Sequence, residues 1–277
     1  SAAGDTSFTN MAAIADVFLK SGNASLTVAY GATVVPGVAD VQNVTLSGVT
    51  NSTTNLTIAG VETVNITTSG TKSTLNNLAF DAATTLNISG DQNLTIAGSV
   101  PATAGTIDAS GLTGKLSMTA TFTPAAASLT GGSNDDTITV ASGELTATST
   151  YDGGAGVDTL ILAAPADWNL LTQGNVSNFE VLGAATIGTY DFSKLSGGVA
   201  VLSADASDGG GSVVFSNMPS SSTGTIIGTE GMDLLLAQDS ASDDATITIS
   251  TPITAGITVA DPIALAEYET VTINSSG

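Results

Sequence analysis

The sequence predicts an all-β fold, a parallel β-solenoid of the β-roll type, with Gly-Asp turns between short strands. Short segments that alternate apolar and polar residues recur through the first half of the chain, and most of them end at glycine. A motif of glycines followed by aspartate recurs in the second half. Modules of the β-sandwich type share the same alternation and are the alternative, but hairpin turns such as Asn-Gly are missing, which favours the solenoid.

The N-terminus has a different pattern. Phe8, Met11, Ile14 and the pair Val17-Phe18 recur at helical spacing, with Asp16 and Lys20 off the apolar stripe. We therefore expect a short N-terminal helix. Such a helix would cap the open end of the solenoid, where exposed strand edges invite pairing.

Repeated strands dominate the region that follows. The segments share an apolar-polar-apolar-small-Gly pattern, namely Val44–Gly48, Leu56–Gly60, Leu86–Gly90 and Leu94–Gly98, with related strands at Val64–Ile66 and Leu116–Met118. We divide the chain into a β-repeat region with the N-terminal helix, residues 1–125, and a β-rich region with the Gly-Asp turns, residues 126–277. The two regions could also form one continuous domain.

The Gly-Asp motif is clearest at residues 153–161, Gly-Gly-Ala-Gly-Val-Asp-Thr-Leu-Ile, which fits the calcium-binding nonapeptide G-G-x-G-x-D-x-U-x. Residues 131–139 repeat it with Asn134 at the third glycine, where we expect a left-handed backbone. Residues 228–235 form a weaker third copy. The Asp of the motif contributes a hard anionic oxygen beside backbone carbonyls that point inward. Ca²⁺ prefers such oxygen ligands. The predicted Ca²⁺ site residues are Gly131, Gly132, Asn134, Asp135, Asp136, Asp152, Gly153, Gly154, Gly156, Asp158, Gly228, Glu230, Gly231 and Asp233.

Composition excludes several function classes. The chain has no Cys and no His, which excludes disulfides, zinc fingers, Cys nucleophiles and Ser-His-Asp triads. A formal charge of −21 argues against nucleic acid and anionic lipid as partners. No apolar run is long enough for membrane insertion. A polysaccharide lyase needs a basic side chain at its site, and the four lysines are scattered, so we expect no enzymatic activity.

A second recurring element places a glutamate between an apolar residue and a strand. It occurs at Glu62, Glu180 and Glu269. The glutamate is interpreted either as a solvated residue at a strand edge or as a ligand or structural acceptor at a coil corner.

These turns and strands resemble the RTX class of calcium-dependent secreted proteins, and the turn-strand-Glu-strand units resemble bacterial RTX-type S-layer proteins of the Caulobacter type. The resemblance implies an RTX coil of two nonapeptides, so that turns recur about every 18 residues. On this basis Gly131 and Gly153, which are 22 residues apart, are interpreted as one coil with a small insertion. It also implies calcium between neighbouring turns and type I secretion to the extracellular bacterial surface.

The expected function is therefore that of a structural, calcium-dependent, self-assembling extracellular protein, an S-layer or surface-lattice component. Its main partner is another copy of itself in a calcium-bridged sheet or filament, and surface polysaccharide is a further candidate partner. The alternative is an RTX adhesin segment that binds a surface, a glycan or ice. The lack of a recognisable secretion signal is interpreted as the mark of a fragment or a processed product.

Overall fold

The computed structural model describes residues 5–20, 25–50, 55–100, 103–121, 127–170, 174–195, 198, 200–203, 212–227, 231–250 and 263–275. Their regular secondary structure is almost entirely β-strand, and strands of successive coils pair in parallel. The predicted parallel β-solenoid is confirmed. The sandwich alternative is wrong, because sandwiches are built from antiparallel sheets.

The chain forms two compact units, one of residues 1–139 with 148–158 and the other of residues 140–147 with 159–277. Compactness alone does not define independently folding domains, so the division predicted after residue 125 stays a prediction.

The first unit contains three parallel sheets. Their orders are β1-β3-β5-β8, β7-β10-β12-β14 and β2-β4-β6-β9-β11-β13-β15. The strands are β1 (Thr6–Met11), β2 (Val17–Lys20), β3 (Leu26–Tyr30), β4 (Val41–Ser47), β5 (Leu56–Ile58), β6 (Thr63–Thr68), β7 (Ser73–Leu75), β8 (Leu78–Phe80), β9 (Thr85–Gly90), β10 (Leu94–Ser99), β11 (Thr106–Leu112), β12 (Leu116–Ala120), β13 (Ser128–Thr130), β14 (Thr137–Val140, whose last residue belongs to the second unit) and β15 (Thr150–Asp152). All six strands predicted from the repeats of the first half lie in these elements.

The second unit contains two sheets, with the orders β16-β18-β20-β22-β24-β26 and β19-β21-β23-β25. Its elements are β16 (Thr159–Leu162), α1 (Pro165–Leu170), β17 (Val176–Ser177), β18 (Val181–Ala184), β19 (Gly188–Asp191), the 3-10 helix Phe192–Lys194, β20 (Ala200–Ser203), β21 (Ser212–Met218), β22 (Ser221–Ile226), β23 (Gly231–Leu236), β24 (Asp244–Ile249), β25 (Ala264–Ala266) and β26 (Thr270–Ser275). Trp168 on α1 is buried, and its Nε1 donates to the Asp191 carbonyl at 2.8 Å.

Coil length in the first unit is set by strand register. Val41 pairs with Thr63, and Thr63 pairs with Thr85, so each partner lies 22 residues further along the chain. This shift also occurs in coils that lack a Gly-Asp turn. The Gly131–Gly153 spacing is therefore one coil, as interpreted, but the small insertion is wrong, because 22 residues is the regular coil length of this region.

The core consists of inward-facing apolar residues that stack from coil to coil. One column runs through Val64, Leu86, Ile107, Leu129 and Tyr151, which are paired in register and fully buried. Each member covers its neighbour in the next coil, as the period-two alternation requires. Outward residues of the same strands remain at least partly exposed.

The predicted N-terminal helix is wrong, because residues 6–11 and 17–20 form β1 and β2. Phe8 pairs with Val28, and Val17 pairs with Val44, so both segments join the sheets of the following coil. Main-chain pairing with an existing strand outweighs a local helical period, and the Thr and Phe residues of the segment also favour strands. Phe8 and Phe18 are 50% and 60% exposed on these edge strands.

Candidate functional site

The two clear Gly-rich turns stack directly on each other, one coil apart. Gly131 N donates to the Asp152 carbonyl at 2.8 Å, and Ala155 N donates to the Gly132 carbonyl at 3.0 Å. A Cβ added at Gly131 would overlap the Gly153 carbonyl, and one at Gly154 would overlap the Gly132 carbonyl. Glycine is required here because the two backbones touch.

Left-handed backbone geometry occurs in only one of these two turns. Gly154 and Gly156 have φ of +94° and +139°. Asn134 is absent from the positive-φ positions, so its predicted left-handed conformation is wrong. Its side chain instead accepts a hydrogen bond from Asp135 N at 2.9 Å, which stabilises the turn locally.

Asp136 and Asp158 are the buried carboxylates of these turns, with relative exposures of 1% and 0%. Asp136 Oδ1 accepts from Leu116 N at 2.7 Å, and its Oδ2 accepts from Gly132 N at 2.6 Å. Asp158 Oδ1 accepts from Asp136 N at 2.6 Å. Burial raises the pKa of Asp136, although the Leu116 and Gly132 amides oppose the shift.

Asp135 is exposed in the same turns, and Asp152, the last residue of β15, is half-buried beside them. Asp135 is paired with Lys115 at 2.8 Å and accepts from Val157 N at 3.0 Å. The Lys115 ammonium lowers the pKa of Asp135. Asp152 Oδ1 accepts from Gly154 N at 3.0 Å. The structure thus brings together the predicted residues of both turns. Most of their carboxylates accept hydrogen bonds from backbone amides.

The third predicted turn differs from the other two. Gly228 and Glu230 lie outside the described residues, whereas Gly231 and Asp233 belong to strand β23. The turn expected at these two positions is therefore wrong. Met232 and Leu234 alternate as buried residues, and β23 pairs with β21, so strand pairing determines the local structure. Asp233 Oδ1 accepts from Ala264 N at 3.1 Å.

A different group of carboxylates converges in the second unit. Asp239, Asp243 and Glu269 each place a carboxylate oxygen within 4.8 Å of the others, and within the described ranges this is the acidic group with metal-binding geometry. We call it the acidic cluster. It can hold a metal ion, because several carboxylate oxygens in one place suit a hard divalent cation.

Strand register builds the acidic cluster. Asp244 of β24 pairs with Thr270 of β26, which places Asp243 directly beside Glu269 at the entry to the two strands. Asp243 N donates to Glu269 Oε2 at 2.7 Å. Asp243 is itself buried, and its two oxygens accept from the amide and the hydroxyl of Ser240 at 2.7 Å each.

Of the acidic cluster, sequence reasoning singled out only Glu269. Glu269 was interpreted as a possible ligand or acceptor at a coil corner, and the structure makes it an acceptor. Glu62 has the same role, because its Oε2 accepts from Asp40 N at 2.9 Å. Asp239 carried no motif. Only the 26-residue register between β24 and β26 brings these groups together, and that spacing differs from the 22-residue coil.

Electrostatics favour a cation at the acidic cluster. At 4.8 Å, each pair of ionised carboxylates repels by about 1 kcal/mol even at the dielectric constant of water. The salt bridge found within the described ranges joins Lys115 to Asp135, in the first unit. The cluster therefore carries negative charge that no described lysine neutralises.

No helix in the described part of the chain has both the length and the apolar character needed to cross a membrane. Comparison with protein-family models and with curated proteins finds no match for this chain.

Proposed function

We propose that this chain is a structural, calcium-dependent protein of the extracellular bacterial surface that self-assembles into an S-layer or a similar lattice. The acidic cluster is the observation that carries the proposal, because Asp239, Asp243 and Glu269 offer converging oxygens without a neutralising lysine among the described residues. A rigid solenoid with a repeating outer face is a suitable building block for a sheet or filament.

Calcium fits the cluster better than magnesium. Ca²⁺ accepts six to eight oxygen ligands in flexible geometry, whereas Mg²⁺ demands a near-ideal octahedron and releases water reluctantly. Asp239 and Glu269 are exposed and can adjust, while Asp243 is fixed by Ser240. The cluster would supply carboxylate oxygens, and water would complete the coordination. Calcium at the Gly-Asp turns stays a prediction from the sequence and is not part of this proposal.

Charge and edge exposure together support assembly that depends on calcium. The edge strand β26 has Val271 and Ile273 exposed by 42% and 59%, a surface that favours association. A net charge of −21 keeps copies apart by repulsion. Calcium would lower this repulsion and bridge carboxylates of neighbouring copies. The partner is then another copy of this chain, and no catalytic step is part of the proposal.

An adhesin segment is the second candidate, and the outer face of the first unit favours it. Asn43, Asn65 and Asn87 form a ladder, in which Asn65 Nδ2 donates to Asn43 Oδ1 and Asn87 Nδ2 donates to Asn65 Oδ1, both at 2.8 Å. Thr63 and Thr85 form a parallel column on the same strands. Such a regular array of polar groups suits a periodic glycan surface or ice.

Imaging of calcium-induced assembly tests the proposal. The purified chain is examined by electron microscopy and light scattering in millimolar calcium, in magnesium and in EGTA. We expect ordered sheets or filaments in calcium, little assembly in magnesium and monomers in EGTA. The variant Glu269→Gln should lose the response, and Glu267→Gln, which removes the same charge two residues away, should retain it. A chain that stays monomeric in calcium but binds insoluble polysaccharide or ice would favour the adhesin instead.

A further inference from the structure

The two Gly-rich turns are closed by hydrogen bonds within the protein. Both oxygens of Asp136 accept hydrogen bonds from main-chain amides. One amide is that of Leu116 in the preceding coil, at 2.7 Å, and the other is that of Gly132 in the same turn, at 2.6 Å. Asp158 of the next coil accepts from Asp136 N at 2.6 Å. Three consecutive coils are therefore joined through two buried carboxylates.

The carbonyl groups of these turns are also engaged between coils. The Gly132 carbonyl accepts from Ala155 N at 3.0 Å, and the Asp152 carbonyl accepts from Gly131 N at 2.8 Å. A calcium site of the nonapeptide type would need such carbonyls together with the Asp carboxylates. In this geometry both oxygens of Asp136, Oδ1 of Asp158 and the two carbonyl oxygens already accept main-chain amides, so closure of the turns does not depend on an ion.

We propose that Asp136 and Asp158 form a metal-independent latch that holds these three coils together. Backbone amides at a coil corner have no strand partner, and a buried amide without an acceptor is costly. A carboxylate from the adjacent coil supplies the acceptor, and a charged acceptor makes the bond stronger than a neutral one. The latch lies in the first unit and does not depend on the acidic cluster.

Other coil corners use the same arrangement. Glu62 accepts from Asp40 N at 2.9 Å, and Asp81 Oδ1 accepts from Gly60 N at 2.7 Å. In each pair the acceptor lies on the coil after the donor, 22 and 21 residues further along the chain. These corners have no Gly-Asp motif, so an acidic acceptor for an amide of the adjacent coil does not depend on that motif.

Asparagine substitutions test the latch. Asp136→Asn replaces one acceptor oxygen with an amide group that faces a main-chain N–H, so one of its two bonds is lost. Hydrogen exchange of the Leu116, Gly132 and Asp136 amides is measured by NMR on the full chain, in EGTA and in millimolar calcium. We expect exchange at Leu116 or Gly132 to accelerate by about 10- to 100-fold in EGTA, with the same change in calcium.

Two further variants complete the experiment. Asp158→Asn should accelerate exchange at the Asp136 amide in the same metal-independent way, and it reports on the latch if Asp136→Asn fails to fold. Asp91→Asn is the control, because Asp91 is an exposed acid of the same unit, and it should leave these amides unchanged. Acceleration that appears only in calcium would make Asp136 an ion ligand and overturn the latch, as would unchanged exchange in both buffers. Neither result bears on calcium-induced assembly, which fails or succeeds separately in the Glu269→Gln comparison.

Discussion

Replacing Glu269 by glutamine should abolish most of the stabilisation by calcium. In the acidic cluster Glu269 lies within 4.8 Å of two other carboxylates, and its Oε2 accepts from Asp243 N at 2.7 Å. Glutamine keeps a carbonyl oxygen for that hydrogen bond and removes the charge. The substitution therefore separates electrostatics from hydrogen bonding.

The magnitude follows from the geometry. Two pairwise repulsions of about 1 kcal/mol each disappear without metal, and salt reduces that gain to about 1 kcal/mol. Each 1 kcal/mol shifts the melting temperature of a unit of this size by about 2–4 °C. In EGTA the variant should thus melt at the same temperature as the parent chain or a few degrees higher. At a calcium concentration one hundred times Kd, the parent gains about 2.7 kcal/mol and the variant little.

Circular dichroism melts of both proteins in EGTA and across a calcium titration measure these changes. The control is Glu267→Gln, which should retain the full calcium shift. A calcium shift of equal size in the parent and in Glu269→Gln would refute the assignment of the ion to this cluster. A variant less stable than the parent in EGTA would refute the repulsion argument.

Two further predictions concern the turns of the first unit. Lys115 holds the pKa of Asp135 below its ordinary value, so the pair stabilises the fold at neutral pH. This contribution is lost as the pH falls through the folded-state pKa of Asp135. Lys115→Gln should move the NMR titration midpoint of Asp135 upward, and an unchanged midpoint would contradict the pairing. Gly154→Ala should destabilise the first unit by about 1–3 kcal/mol in urea unfolding, because φ is +94° and the new Cβ overlaps the Gly132 carbonyl. The control is Gly174→Ala, because a Cβ at Gly174 would meet open space. Equal effects of the two substitutions would contradict the close packing of the turns.

The fold was predictable because buried and more exposed positions alternate in most of the strands. Leu86 and Ile88 are buried, whereas Asn87 between them is not, and this pattern alone indicates one covered face. The N-terminal prediction failed because Phe8 and Met11 satisfy a helical spacing as well as a strand with an irregular register. Local periodicity contains no information about the partner strand β3, which decides between the two.

The site was harder to predict than the fold, because it depends on which coils meet. Gly131 and Gly153 were recognised by their motif, and their stacking follows from a regular 22-residue register. Asp239 has no such motif, and Asp243 reaches Glu269 only across a 26-residue coil. Side chains that come together through an irregular coil leave no fixed spacing in the sequence.

The roles of individual acids explain why net charge alone is a weak guide to metal binding in this chain. Each coil corner leaves a main-chain amide beyond the end of the strand ladder, and a carboxylate on the adjacent coil is a strong acceptor for it. Glu62, Asp81, Asp136 and Asp158 all have this role. Part of the acidity is therefore required by the solenoid itself, whether or not calcium is present. What distinguishes Glu269 is that it is such an acceptor and also lies beside two other carboxylates. The convergence of carboxylates, rather than their number, is the feature that points to an ion.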